Sequence, residues 1–480
     1  MKKGFTLIEL LAVIVILAII ALIATPIILN IIDDTKQNAD LISRNTYINE
    51  VERKLVVNSE GYDFSNSVCS VVESDTDNLS VGDLICDGIP IDIEISGTTA
   101  TQGLIVFING KAAIIQDLKV GNSVYNESSM ESGLYDLNGT YIKTWQELID
   151  EESITIQNTT LKTISQDMEG MLVIDDTITT LGYDVGSSCS LTAVVMPDSI
   201  TTTTIRSFTN CSNLKTAIIS KNLEALDMEM FSYTAIESIL IPEGVKTIGR
   251  NAFRYTPIKS VSLPSTLTTI DMYAFETTPL ESVVIPEGVT SIGWSAFRYD
   301  ESLKNVKILG TQTNIGSQSF YGSGIEELYI KGGVIDMSAF SYCPNLNNVV
   351  IEEGITSIGM NAFAGSSINN IELPDSILSI GHYAFFNTTL GNITLGAGLT
   401  TIGESAFGNS TITSITIPAS VTSIGRAAFS YTSNLTDVYF ESTTNWSKGE
   451  TPISSTDLAN SATAATYLKE SFDYAWTKSE

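Results

Sequence analysis

The stretch Ile285-Pro286-Glu287-Gly288-Val289-Thr290-Ser291-Ile292-Gly293, running on into Ala296-Phe297, decides the fold of most of this chain. The pattern IPxxVTxIGxxAF returns with substitutions every 20-odd residues, mostly every 22. Its phenylalanine recurs as Phe208, Phe231, Phe253, Phe275, Phe297, Phe320, Phe340, Phe363, Phe385, Phe407 and Phe429. Between these, an apolar strand run opens at Leu214, Ile236, Ile258, Leu280, Leu303, Ile325, Leu346, Ile368, Leu390, Ile412 and Leu435. A fixed period of this length predicts a solenoid, because one unit cannot bury its apolar face alone and stacked neighbours build a continuous core. The phenylalanines should form an internal ladder, and truncating a central one should cost about 3–5 kcal/mol. With strands ~4.8 Å apart, about twelve rungs span roughly 55 Å.

The array runs over residues 166–445 and departs from its own pattern locally. Val185 to Cys189 reads as a degenerate first repeat, and the unit from Phe320 to Phe340 is shortened. Ser220, Leu309, Glu352 and Gly396 stand where proline is usual. In these motifs the chain resembles BspA-like leucine-rich repeats. The resemblance implies a slender, curved surface solenoid of the kind that serves adhesion or host-protein binding.

Working outward, both ends of such a solenoid need lids. Thr144-Trp145-Gln146-Glu147 is a capping-box pattern that predicts a short helix within a linker and N-cap, residues 129–165. A C-terminal cap, residues 446–480, carries Trp446, Tyr467, Phe472, Tyr474 and Trp476, aromatics expected to seal the last repeat.

The N-terminus reads MKKGFTLIELLAVIVILAIIALIATPIILNII. Leu10 to Leu29 is apolar except for Thr25 and Pro26, long enough to cross a bilayer as a helix. Lys2 and Lys3 place the preceding end in the cytoplasm. Glu9 is an ionisable group in an apolar span and calls for a partner. Gly4-Phe5 with the following Thr-Leu-Ile-Glu resembles the class III leader of type IV prepilins and pseudopilins. That resemblance implies cleavage by a prepilin peptidase after Gly4 and methylation of the new amino group of Phe5. It also implies that Glu9 neutralises the amino terminus of a neighbouring pilin subunit in a filament, and that Pro26 is the kinking proline of the assembly helix. A plain single-pass anchor also accounts for the span length, though not for Gly4-Phe5 or Glu9.

The helix is expected over residues 5–58, past the leader 1–4, with Leu41, Ile42, Ile48, Val51 and Leu55 in helical alternation. Residues 59–128 read as a pilin-like head. Within them, Gly103 to Ile115 places two apolar runs around Asn109-Gly110, a strong hairpin signal. The expected fold class is therefore an α+β pilin-like module, a long membrane-spanning helix plus a small antiparallel sheet, followed by a β-rich leucine-rich repeat solenoid. Cys69 and Cys86 are a candidate disulfide worth on the order of 3 kcal/mol if oxidised; two separate thiols are the other reading. Asp75, Asp77 and Asp83 lack the spacing of a calcium loop.

Composition narrows the function. The chain has 480 residues and a formal net charge of −30, which argues against binding phosphate backbones. With one histidine and five scattered cysteines there is little for a histidine triad or a zinc cluster. His382 shares its repeat slot with Arg250, Trp294, Met360, Glu404 and Arg426, which marks a solvent-facing position. No phosphate loop, nucleophile elbow or metal spacing appears, so neither catalysis nor a cofactor is expected. Cys211 and Cys343 share a register too far apart to bond, and Cys189 is read as one residue out of register with Cys211.

Two residues after the ladder phenylalanine stand Tyr233, Tyr255, Tyr299, Tyr342 and Tyr431, with Arg254 and Arg298 beside two of them. Exposed Tyr/Arg stripes are typical interaction anchors; packing between repeats is the plainer reading. Arg254, Tyr255, Arg298, Tyr299 and the strand residue Tyr329 are the candidate binding face. The expected function is a type IV pilin-like surface protein, a minor pilin or pilus-borne adhesin, held in the cytoplasmic membrane and presenting the array to a host or surface macromolecule. A pseudopilin of a competence or secretion machine and a membrane-anchored adhesin that does not polymerise are the alternatives.

Overall fold

The computed structural model describes residues 47–48, 51, 68–71, 84–86, 89–91, 100–108, 111–120, 123–128, 130–136 and 140–479. The chain divides into two compact units, Met1–Met130 and Glu131–Glu480. Gly4, Phe5, Glu9, Pro26 and the Leu10–Leu29 run lie outside the described residues, as do Asp75, Asp77 and Asp83. Among the described residues no helix is long and apolar enough to cross a membrane.

In the first unit, Tyr47, Ile48 and Val51 are helical and buried. Six strands form one antiparallel sheet in the order Ile89–Ile91, Leu84–Cys86, Val68–Val71, Ala100–Ile108, Lys111–Val120, Ser123–Ser128. Ala100–Ile108 and Lys111–Val120 pair antiparallel with Ile108 in register with Lys111; Asn109 and Gly110 lie outside the described residues. Cys69 and Cys86 are direct register partners on neighbouring strands.

The second unit is the solenoid. Each coil contributes a two-residue strand, such as Thr247–Ile248 or Ser291–Ile292, to one long parallel sheet. A second strand of three or four residues, such as Ser282–Ile285 beside Asn305–Ile308, joins shorter parallel sheets. Between the two strands the chain turns through the phenylalanine. All eleven ladder rings are fully buried. Successive rings stack at centroid distances of 4.9–6.0 Å with interplanar angles of 3–22°. Offset stacking adds about 0.5–1.5 kcal/mol per pair beyond area burial.

The turn satisfies its own backbone. Residues two before and two after each ladder phenylalanine take φ between 50° and 71°. Amide groups then point alternately along and within the coil. Asn251, Phe253 and Tyr255 N–H donate to Met272, Ala274 and Glu276 carbonyls of the next coil, at 3.0, 2.8 and 3.1 Å. The intervening Ala252, Arg254 and Thr256 N–H donate three residues back within their own coil. One residue further on, an internal hydroxyl column caps the phenylalanine carbonyl: Thr256 Oγ1 donates to Phe253 O at 2.7 Å, Ser323 to Phe320 at 2.8 Å, Thr388 to Phe385 at 2.9 Å. These bonds satisfy polar atoms buried inside the coil.

Residues 131–165, read from the sequence as linker and cap, are built into the array. Tyr141–Thr144 and Gly133–Tyr135 pair with each other and extend a five-stranded sheet through Gly170–Val173, Leu191–Val195 and Thr216–Ile218. Helix Trp145–Asp150 opens with both halves of the capping box between Thr144 and Glu147, and buries Trp145 and Leu148 in the solenoid core. At the other end Trp476–Lys478 pairs antiparallel with the last coil strand, Ser423–Ile424, and terminates the parallel stacking. Trp446 and Trp476 are buried there. The other cap aromatics do not seal the repeat: Phe472 and Tyr474 are exposed, and Tyr467 and Tyr474 border a cleft of about 920 Å³.

A second correction concerns the cysteines. Cys189 and Cys211 are disulfide-bonded, with Cα atoms 4.8 Å apart. Their separation of 22 is the repeat period itself, so they stand in register. Gly186, whose N–H donates to Ser207 O just as Phe208 N–H donates to Met230 O, fills the phenylalanine slot of this first coil. A Cβ at Gly186 would meet the Phe208 ring at 3.0 Å, so the ladder starts on bare backbone. Cys343 is buried and unbonded, and burial pushes its thiol up to about 11.

Candidate functional site

The residue after each ladder phenylalanine is buried or half-buried at the edge of the turn, and the next one is half-buried or exposed. In the coils of Phe253, Phe275 and Phe297 the first of these slots holds Arg254, Glu276 and Arg298 in succession. Glu276 is 4% exposed and takes both neighbours: Arg254 Nε donates to it at 2.5 Å and Arg298 Nη1 lies 3.8 Å away. A carboxylate this buried is tolerable because two guanidiniums flank it.

Aromatic rings enclose the same cations. The Arg254 guanidinium lies 4.8 Å from the Tyr255 ring centroid and 5.1 Å from that of Tyr273. Arg298 lies 4.5 Å from Tyr299 and 5.4 Å from Tyr321. Tyr255 stacks on Tyr233 at 5.0 Å, and Tyr273 meets the exposed Trp294 edge-on at 5.0 Å. Burial pushes the Tyr321 hydroxyl pKa upward, reinforced by Tyr299 and Tyr342 nearby. Tyr233, Tyr255, Tyr299 and Tyr342 are 41–58% exposed, rigid amphipathic groups in one slot of the array, interrupted by Thr277 and Gly322. Arg254, Tyr255, Arg298 and Tyr299 are thus brought together as one assembly.

Tyr329 is not part of it. It lies on strand Glu327–Ile330, registers with Lys307 and Val350, and donates its hydroxyl to Glu352 at 2.6 Å. His382 is exposed and accepts the Glu404 N–H at Nδ1, 2.9 Å, a surface contact.

Two members of the assembly escape a reading of the sequence. Glu276 looks like any surface glutamate until the slot is read down the array, where Arg, Glu and Arg follow at the repeat period. Asp300 occupies the internal hydroxyl column, where other coils have Ser, Thr or Cys. It is fully buried, with Oδ1 accepting the Thr278 N–H at 2.7 Å. Desolvation drives its carboxyl well above the usual aspartate range, outweighing the Thr278 bonds, and Glu276 pushes the same way.

Comparison with known proteins agrees with this architecture. The model of the BspA type leucine rich repeat region matches residues 147–259, 224–347 and 333–449, and the prokaryotic N-terminal methylation motif matches residues 1–25. The chain belongs to the BspA-type leucine-rich repeat family and carries a prepilin-type N-terminal methylation motif. No curated protein matches it. Among solved structures, a leucine-rich repeat protein from Bacteroides ovatus is 21% identical over 58% of this chain and 71% of its own, with a TM-score of 0.47. A leucine-rich cell surface protein from Faecalibacterium prausnitzii is 22% identical over 60% and 86%, TM-score 0.35. The pneumococcal vaccine antigen PcpA is 20% identical over 61% and 80%, TM-score 0.39.

Proposed function

We propose that this chain is a surface adhesin, processed as a type IV prepilin and held at the cytoplasmic membrane by its N-terminal segment, which presents the repeat array outward. The observation that carries the reading is the pairing, in one chain, of the N-terminal methylation motif with a BspA-type array. Recognition runs along the exposed tyrosines of the Arg254–Glu276–Arg298 assembly, and the chain performs no catalysis. Low-copy or tip placement fits a subunit of this bulk better than a major pilin. In a filament, Glu9 pairs with the processed amino terminus of a neighbouring subunit, since a carboxylate in hydrocarbon needs a cation.

Mass spectrometry of the mature chain tests the processing. The expected first residue is N-methyl-Phe5. A mature chain that still begins at Met1, or that begins after residue 25, contradicts it. Glu9→Ala should preserve membrane insertion and reduce incorporation into a filament; normal incorporation favours an anchor that does not polymerise.

A further inference from the structure

The exposed passage of each coil, from two residues past the ladder phenylalanine to the start of the next strand, changes character midway along the array. In the first half one column alternates in sign through consecutive coils: Lys215, Glu237, Lys259, Glu281, Lys304, Glu326. Lys259 pairs with Glu237 at 2.8 Å. From the coil of Phe340 to that of Phe407 the same passage carries no charge at all. It holds amides and hydroxyls instead, in a chain whose net charge is −30.

Three of those amides have no backbone reason to be asparagine. Asn348, Asn370 and Asn392 are the exposed first residues of three successive strands. Asparagine is disfavoured in strands, where valine or threonine packs better. The contrast is Asn387 and Asn409, whose φ of 57° and 55° favours asparagine for conformational reasons. At the strand positions the amide group itself is what is supplied. Asn392 Nδ2 donates to Asn370 Oδ1 at 2.9 Å, which engages one donor and one acceptor and leaves further hydrogen-bonding capacity on both groups.

An aromatic shelf borders this face. Tyr342 is 58% exposed, and its ring lies over Gly365, where a Cβ would meet it at 2.9 Å. Glycine there lets the ring lie against the backbone with its far side in solvent.

We propose that this uncharged terrace binds a neutral polysaccharide. Sugar hydroxyls both donate and accept, as amides do, and the apolar C–H face of a pyranose matches a flat tyrosine ring. A polyanion or polycation finds no charge to pair with in the passage itself, the exposed Glu372 two residues beyond Asn370 on the same strand repels a polyanion, and an apolar protein patch would leave the amides unpaired. Because equivalent groups recur every ~4.8 Å, a repeating polymer engages several weak sites at once. The inference goes beyond the adhesin reading and does not depend on leader processing, so it is tested on purified protein.

The full chain in detergent micelles is passed over immobilised dextran, galactomannan and xyloglucan, with heparin as the anionic comparator. The expected result is saturable binding to at least one neutral polymer that barely changes as salt is raised, since no ion pairs are involved. Asn370→Ala with Asn392→Ala, and separately Tyr342→Asn, should each weaken it about tenfold or more at an unchanged thermal midpoint. Lys259→Gln with Lys304→Gln should leave it intact. If the paired asparagine variant loses its fold, Tyr342→Asn decides alone. Absence of binding to all three neutral polymers, binding confined to heparin, or binding that survives both sets of variants overturns the proposal.

Discussion

The coils before Phe340 and the coils from Phe340 onward share one interior and present two exteriors. Phe253 on Phe275 stacks at 5.2 Å and Phe363 on Phe385 at 5.4 Å, with every ring buried. Outside, the first half has lysine and glutamate in alternation and an arginine–tyrosine assembly around a buried glutamate. In the second, the passage after each phenylalanine from Phe340 to Phe407 carries asparagine, serine and threonine instead of charge. The same backbone bonds carry both, as in Tyr255 N–H to Glu276 O at 3.1 Å and Asn387 N–H to Gly408 O at 2.9 Å. The interior therefore sets spacing only, and the outward slots are free to be specified separately.

The largest effect should come from the shared interior. Phe297→Ala and Phe385→Ala should each cost about 3–5 kcal/mol in denaturant unfolding, and by similar amounts. Costs that differ by more than about twofold between the halves would mean the interiors are not equivalent.

Next comes the one place where the exterior reaches inward. Removing both arginines, Arg254→Ala with Arg298→Ala, strips Glu276 of its partners and should cost about 3–5 kcal/mol, because an unpaired buried carboxylate remains. Adding Glu276→Gln should recover much of that loss. No recovery would show that arginine packing, not charge, holds the first half together. A disulfide-linked peptide containing Cys189 and Cys211 should appear by mass spectrometry, and reduction should cost about 3 kcal/mol in the first coils. Cys343 should stay unmodified by alkylating reagent in the native chain, since its thiol is buried and protonated.

The smallest effect concerns pH. Asp300 has a folded pKa raised above its unfolded value, so its protonated form favours the fold. That contribution is complete below the unfolded pKa, about 3.9, and is lost as pH rises from there through the higher folded value. Asp300→Asn should therefore raise the thermal midpoint relative to the parent at neutral pH and narrow the gap toward pH ~4. An equal offset at every pH would mean that Asp300 is not protonated in the fold.

The solenoid was legible in the sequence because its interior is monotonous: one phenylalanine and one isoleucine per period leave little room for another fold. What was missed lies where a slot is occupied by an unusual residue. The first coil has Gly186 in place of phenylalanine, so counting from Val185 put Cys189 out of register and hid its bond to Cys211. Glu276 and Asp300 carry a charge type usually found in solvent, yet both are buried at the turn. Tyr467 and Tyr474 look like the buried tryptophans beside them; the antiparallel strand Trp476–Lys478 closes the sheet with Trp476 inward and has no room for more rings. Tyr329, read from the sequence as a strand residue of the binding face, lies on strand Glu327–Ile330 beside Lys307, apart from the Tyr255–Tyr299 column.

The structure also changes how the binding surface should be probed. Replacing Arg254 and Arg298 together with their tyrosines would unsettle Glu276 and confound recognition with stability. Tyr255→Asn with Tyr299→Asn keeps both arginines and suits the positive φ of 55° and 60° at these positions. The decisive measurement is attachment of cells displaying this double variant to a host-cell layer, read beside the thermal midpoint of the purified chain. The account predicts that attachment falls about tenfold while the midpoint moves by no more than about 2–4 °C. Attachment at the parental level, with the fold intact, would contradict it.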